Sequence, residues 1–202
     1  MKNIKTITIV IFLAVVLIVF LKPFVDEYKE RKKYNFTLDT IDGKVTKDSF
    51  KGKVLAVYFG YTYCPDVCPT SLSSLASALN SFDKEKIKDF VGLFVSVDPK
   101  RDSLKNLKAY ASYFHPNFIG ASSIKENIDD ITKRYESYYK KIELKNSAMG
   151  YSISHTSFIY LFDKEGRFIA KVDHFSDPSK IKESLKKALG VNGTAQKSVS
   201  IK

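Results

Sequence analysis

The chain has only two cysteines, and they stand four positions apart in the stretch Cys64-Pro-Asp-Val-Cys68. The preceding residues 54–59 form a continuous apolar run typical of a buried strand, and the residues that follow carry leucines at helical spacing. The two thiols are therefore expected in the turn between a strand and a helix. Thiols held this close either cycle between dithiol and disulfide or bind a soft metal ion together.

The local order of prolines predicts how this turn is built. Proline is tolerated at the first position of a helix, so we expect the helix to begin at Pro69, with Cys68 at its cap and residues 64–67 in the turn. A helix N-terminus favours thiolate over thiol, which assigns the lower pKa to Cys68 and the greater accessibility to Cys64. A structural disulfide is the alternative, but a loop this short contributes little conformational entropy, so redox or metal chemistry is favoured.

Residues 1–33 are predicted to be a membrane anchor and a juxtamembrane linker. Residues 7–21 are apolar apart from Thr8, and counted from Ile4 to Val25 the run can span a bilayer as a single transmembrane helix. No small-x-small cleavage site and no cysteine follow, so we expect an uncleaved signal anchor and not a lipid-anchored N-terminus. The basic residues at 29 and 31–33 favour a cytoplasmic domain by the positive-inside rule. The N-terminal amine and the acids at 26, 27 and 30 partly offset them, so charge alone leaves the topology open.

The remaining residues suffice for one domain, predicted at 34–190, followed by a disordered tail at 191–202. A net charge of +11 and a pI near 9.4 raise the hypothesis of nucleic-acid binding. We reject it, because the lysines alternate with acids, as in residues 83–89 and 180–187, and no basic stripe with aromatic residues occurs. A lysine-rich proteome, or attraction to anionic lipid headgroups beside the anchor, explains the excess charge more simply.

Strands and helices alternate along this domain, which predicts its fold class. The expected elements are a hairpin at 36–38 and 44–46, strands at 54–59 and 91–97, a short apolar segment at 118–121, helices at 70–81, 103–114 and 124–135, a second hairpin at 156–162 and 167–172, and a closing helix at 178–189. Residues 140–152 are left open between an excursion and a hairpin. The order predicts an α/β thioredoxin-like fold, with a central mixed β-sheet flanked by helices and preceded by an N-terminal β-hairpin.

Three motifs in this order closely resemble the Sco/SenC family: residues 58–69 around the cysteines, Ser-Val-Asp-Pro-Lys-Arg-Asp-Ser at 96–103, and Tyr-Ser-Ile-Ser-His-Thr at 151–156. That family comprises membrane-anchored, thioredoxin-like copper proteins that help assemble the dinuclear copper site of cytochrome c oxidase. The resemblance covers about residues 36–189. It implies that Cys64, Cys68 and His155 hold a single copper ion, and the family tends to carry an acid at the position of Asp98.

The chain departs from the family at two positions beside the implied ligands. Tyr63 stands where the family commonly has His, and Ser154 stands where it commonly has Asp before the metal histidine. Neither position aligns with a ligand. The departures bear on the orientation and basicity of the His155 ring, which a neighbouring carboxylate can set.

The place of His155 in the predicted fold supports its choice among the three histidines. In a thioredoxin fold the residue just before the penultimate core strand faces the cysteine turn, where redox enzymes usually carry a cis-proline. An imidazole there would join two thiolates in a soft donor set suited to copper. A satisfied core histidine is the alternative for His155. His115 is expected to cap a helix end or face solvent, and His174 lies in a strand-to-helix turn.

Two function classes remain. A copper metallochaperone would bind Cu(I) or Cu(II) through Cys64, Cys68 and His155 and transfer it by ligand exchange. A thiol–disulfide oxidoreductase would use Cys64 and Cys68 as a redox-active pair, whose dithiol reduces partner cysteines and becomes a disulfide. Both roles can coexist, since the cysteines must be reduced before they bind metal.

The resemblance implies the copper-site subunit of cytochrome c oxidase, or another copper chaperone, as partner. It also implies an inner-membrane location with the soluble domain facing the periplasm or its equivalent.

Overall fold

A computed structural model describes the backbone of residues 2–145, 147–173 and 178–191, and the side chains of these residues from Val10 onward apart from that of Pro178. The contacts divide the chain into two units, Met1–Asn35 and Phe36–Lys202. The predicted tail at 191–202 lies outside the described residues except for Val191, and His174 lies outside them as well.

The first unit is a helix, α1 (Lys2–Tyr34), which contains Pro23. Its described apolar side chains, from Val10 to Val25, are all about half exposed or more. Within the described ranges, no helix of the chain combines the length and apolarity that a membrane span requires.

The second unit is built from strands and helices that mostly match the expected ones. The strands are β1 (Thr37–Thr40), β2 (Gly43–Thr46), β3 (Val54–Gly60), β4 (Phe90–Ser96), β5 (Phe118–Ala121), β6 (Tyr139–Glu143), β7 (Tyr151–His155), β8 (Phe158–Phe162) and β9 (Phe168–Asp173). The helices are α2 (Val67–Asn80), the short α3 (Lys84–Ile87), α4 (Leu104–Phe114), α5 (Lys125–Arg134) and α6 (Pro178–Ala188), with a 3₁₀ helix at Lys47–Phe50. The sequence did not predict α3. Of residues 140–152, which it left open, 140–143 lie in β6 and 151–152 in β7, and the two strands pair antiparallel.

The central sheet has five strands in the order β5-β4-β3-β8-β9. β3 pairs in parallel with β4 and antiparallel with β8, so the mixed sheet that the sequence predicts is confirmed. Every residue of β3 is buried, as expected of a central strand covered on both faces. α2, α4 and α6 contribute to a core on one face with Ala56 and Tyr58, while Phe59 packs on the opposite face against Tyr135, which caps α5.

The strand directions bring three distant segments to one edge of this sheet. Because β3 and β4 are parallel, the turn after Gly60 and the loop after Ser96 lie side by side. β8 runs antiparallel to β3, with Ile159 opposite Tyr58, so the segment that enters β8 reaches the same edge. The three sequence motifs therefore meet where β3 and β4 end and β8 begins.

Candidate metal centre

The cysteine turn is shorter than predicted. α2 begins at Val67 with Asp66 at its N-cap, so Cys68 is its second residue and Pro69 its third. The expectation that Cys68 caps a helix beginning at Pro69 is wrong. The first N–H groups of a helix have no acceptor within it, so a proline is accommodated anywhere in the first turn and does not mark the first position.

The two thiols differ in their surroundings. Cys68 is fully buried, whereas Cys64 is partly exposed, and both are free cysteines. The Cys68 sulfur packs against the backbone of Gly60, where a Cβ atom would lie only 2.6 Å from Sγ. The backbone N–H of Cys68 donates to the Cys64 sulfur at 3.5 Å. The end of β3 and the first turn of α2 therefore fix both sulfurs.

His155 reaches this turn as the last residue of β7. Its Nε2 lies 3.3 Å from Cys68 Sγ, and the rings of Tyr58 and Tyr61 pack edge-on against the imidazole. Nδ1 lies 3.0 Å from the carbonyl oxygen of Thr156, to which it donates as N–H. This bond leaves the Nε2 lone pair directed at the sulfurs, so a backbone carbonyl orients the ring where the family commonly has a carboxylate beside the histidine. Ser154 itself is exposed.

The three predicted ligand atoms come together. Among the described residues, Cys64, Cys68 and His155 form a group whose donor atoms all lie within 4.8 Å of one another. Two thiol sulfurs and one imidazole nitrogen are soft donors, which suit copper and exclude hard cations such as magnesium or calcium.

The environment of each thiol sets its acidity. The Cys68 side chain donates to the Cys64 sulfur, and this interaction lowers the pKa of Cys64 to about 3; backbone N–H groups add to the effect and burial opposes it. Burial raises the pKa of Cys68 well above its ordinary value. The prediction that Cys68 has the lower pKa is therefore wrong, because desolvation of a fully buried sulfur outweighs the effect of the helix N-terminus.

Asp98 lies in an ion pair and is not part of the donor cluster. It is buried, its Oδ2 accepts from Arg101 Nε at 2.5 Å, and its Oδ1 accepts from the Tyr151 hydroxyl at 2.8 Å.

Tyr63, which replaces the histidine common in the family, is 47% exposed, and its ring lies 4.8 Å from the Arg101 guanidinium. Tyr63 thus supplies an aromatic surface beside Cys64 and no metal donor.

Asp102 is a supporting residue that the sequence reasoning missed. Its buried carboxylate accepts from the Thr62 N–H at 3.1 Å, from the Thr62 hydroxyl at 2.6 Å and from the Ser96 hydroxyl at 2.6 Å. It therefore ties the cysteine turn to the end of β4. A signal was present, since polar side chains after neighbouring parallel strands meet at one edge of the sheet.

His115, the other histidine that the structure describes, does not join the centre. His115 is 6% exposed, and its Nδ1 accepts from the Asn117 backbone N–H at 3.0 Å just after α4. This agrees with the capping role expected for it.

Comparisons with known proteins agree with this arrangement. The sequence matches the SCO1/SenC family over residues 25–190. A SCO2-like protein of Rickettsia felis is 34% identical over 165 residues, which cover 80% of each chain. The crystal structure of Arabidopsis thaliana ScoI with copper bound is similar at a TM-score of 0.70 and 34% identity, covering 77% of this chain and 96% of that one. The structure of Bradyrhizobium japonicum ScoI with copper bound has a TM-score of 0.63 at 36% identity, covering 76% and 97%.

Proposed function

The chain belongs to the SCO1/SenC family, and from this membership we propose that it is a copper metallochaperone that serves the assembly of the copper site of cytochrome c oxidase. The observation that carries the proposal is the convergence of Cys64, Cys68 and His155, from two segments 87 residues apart, on one point. Copper, as Cu(I) or Cu(II), is the cargo of this site. The copper-bound relatives support the choice of metal.

The geometry suits transfer of the metal. Cys64 is the partly exposed ligand and Cys68 the buried one, so an incoming thiolate approaches from the side of Cys64. A three-donor site leaves copper open to a further ligand. The partner's donor binds first, and a ligand of this chain leaves afterwards, so copper is never released to solvent.

Copper titration of the full chain in detergent tests this function. The reduced protein is expected to bind a single copper ion tightly, and the disulfide form to bind it weakly, because only thiolates ligate. His155→Ala should weaken binding and change the thiolate-to-copper charge-transfer absorption. His115→Asn is the matched control, since the amide can keep the hydrogen bond with the Asn117 N–H. If His115→Asn lost copper binding and His155→Ala kept it, His155 would be the wrong choice of ligand.

Thiol–disulfide exchange is a second candidate function, favoured by the different surroundings of the two thiols. The Cys64 thiolate is accessible and attacks a disulfide sulfur of a partner, which releases one partner thiolate and forms a mixed disulfide. Cys68, once deprotonated, attacks the Cys64 sulfur and releases the second partner thiol. The partner gains two electrons and this chain becomes the disulfide. His155→Ala distinguishes the candidates, because it should spare reduction of a disulfide peptide while it weakens copper binding.

We further propose that α1 anchors the chain in the inner membrane, with the copper domain on the periplasmic or equivalent side. The proposal is supported by the apolar sequence of residues 4–25 and by the exposure of the described apolar side chains from Val10 onward. The copper-site subunit of the oxidase, or another copper chaperone, would then meet the protein at the membrane surface. Membrane fractionation tests the anchor, and activity of a C-terminal reporter that functions only in the cytoplasm would refute the topology.

A further inference from the structure

Arg101 occupies the space between the two segments that carry the donor atoms. Its guanidinium lies 3.6 Å from the ring centroid of Tyr151 on β7, and 4.8 Å and 5.7 Å from those of Tyr63 and Tyr61 on the cysteine turn. Its side chain is only 15% exposed. One cation therefore contacts aromatic rings from both halves of the centre, at distances where a partly desolvated cation–π contact is favourable.

The same guanidinium is hydrogen-bonded to the hairpin that ends at His155. Arg101 Nη1 donates to the carbonyl oxygens of Tyr151 at 3.0 Å and Met149 at 3.3 Å. Its Nε donates to Asp98, which also accepts from the Tyr151 hydroxyl. A planar guanidinium can make these bonds together in fixed directions, which a lysine ammonium cannot.

Near its end the hairpin is also attached through Tyr139, which pairs with His155 and whose hydroxyl donates to Asp129 on α5. β6 and β7 form their own two-stranded sheet, separate from the central one. The N–H of Ile153 donates to the Tyr61 hydroxyl at 3.2 Å, and the segment then enters β8. The bonds from Arg101 and Asp98 are thus among the attachments that hold β7 against the cysteine turn.

We propose that Arg101 is a positioning residue that holds the β6–β7 hairpin in place and so sets how tightly the centre retains copper. The inference rests on the proposed function, in which His155 is a copper ligand. Arg101 does not touch the metal; it raises the fraction of molecules in which the imidazole is already placed beside the two sulfurs. The apparent dissociation constant for copper varies inversely with that fraction. If the fraction of molecules with the imidazole in place falls from nearly one to about one tenth, copper binding weakens about tenfold.

Arg101→Lys is the principal test. It keeps a positive charge beside the buried Asp98 carboxylate, so any change in copper binding reflects lost geometry and not lost charge. We expect copper affinity to fall about tenfold, as for loss of a hydrogen bond network to a charged group. Hydrogen exchange at the Ile153 amide should accelerate in the copper-free protein. Tyr151→Phe removes only the hydroxyl that donates to Asp98, and should give smaller changes of the same kind.

A double-mutant cycle with His155→Ala decides whether Arg101 acts through the histidine. In the His155→Ala background, Arg101→Lys should weaken copper binding no further, because the ligand it places is absent. Equal losses in both backgrounds, or an unchanged affinity in Arg101→Lys while His155→Ala binds weakly, would overturn the inference. Unchanged affinity in His155→Ala alone would instead refute the proposed function.

Arg167→Lys supplies the matched control. Arg167 pairs with the buried Asp163 at 2.7 Å, in the turn at the opposite end of β8 from His155. Its replacement removes an arginine–aspartate bond to a buried carboxylate without contact to the hairpin, although Arg167 itself is 69% exposed. Copper affinity and Ile153 exchange should stay at the wild-type values in Arg167→Lys. A loss there equal to that in Arg101→Lys would show that general destabilisation explains the effect, and would overturn the inference.

Discussion

Gly60→Ala is expected to disturb the copper site through packing alone. A Cβ atom at this position would lie 2.6 Å from Cys68 Sγ and 2.8 Å from a ring carbon of Phe94, both in the core. Ordinary contacts between such atoms are about 3.5–4.0 Å, so the sulfur or the strand must move by about 1 Å. Overpacking of this kind costs about 1–3 kcal/mol of the free energy of unfolding.

The same displacement should weaken copper binding. Cys68 Sγ and His155 Nε2 are only 3.3 Å apart, and a donor set that is loose by about 1 Å loses much of its preorganisation. We expect copper affinity to fall about tenfold, equal to about 1.4 kcal/mol. Urea unfolding of the copper-free protein measures the stability, and competition with a copper-binding dye measures the affinity.

Gly92→Ala separates the effect on the site from the effect on the core. Gly92 lies in β4, and its added Cβ would collide with the Phe118 ring without approaching either cysteine. It should cost a similar amount of stability while copper affinity stays within about twofold of wild type. The reasoning fails if Gly60→Ala loses the same stability as Gly92→Ala and still binds copper as tightly as wild type.

Three further outcomes are expected. Iodoacetamide at about pH 6 should alkylate Cys64 before Cys68, since the pKa of Cys64 is lowered to about 3 and burial keeps Cys68 protonated; peptide mapping that finds Cys68 labelled first would contradict this. Copper binding should displace about one proton, from Cys68, so affinity should rise about tenfold from about pH 7.5 to about pH 8.5, and a flat profile would argue against it. Asp102→Ala should lower the free energy of unfolding by about 2–3 kcal/mol, because Thr62 and Ser96 lose their hydrogen-bond acceptor. Asp102→Asn keeps one acceptor oxygen and should lose less stability. Equal losses of the two variants in urea unfolding would refute the hydrogen-bond explanation.

The sequence by itself determined the class of the domain and the chemistry of its centre. Apolar runs and helical periodicity are local properties, and they placed β3, β8, α4 and α6 within one or two residues of their observed bounds. The cysteine pair was identified from its own spacing, and His155 from the family resemblance and the expected path of the chain into β8; the structure brings them together. These predictions succeeded because strand order and residue type constrain which segments meet at the edge of a mixed sheet.

Only the tertiary structure decided how the centre works in detail. A local rule, the helix N-terminus, assigned the lower pKa to Cys68, but packing against Gly60 buries that sulfur and reverses the assignment. The support of the centre also comes from distant contacts: Asp102 holds Thr62 across 40 residues, and Arg101 holds Tyr151 across 50. Desolvation and such pairings depend on the three-dimensional neighbours of a group, which no periodicity along the chain records.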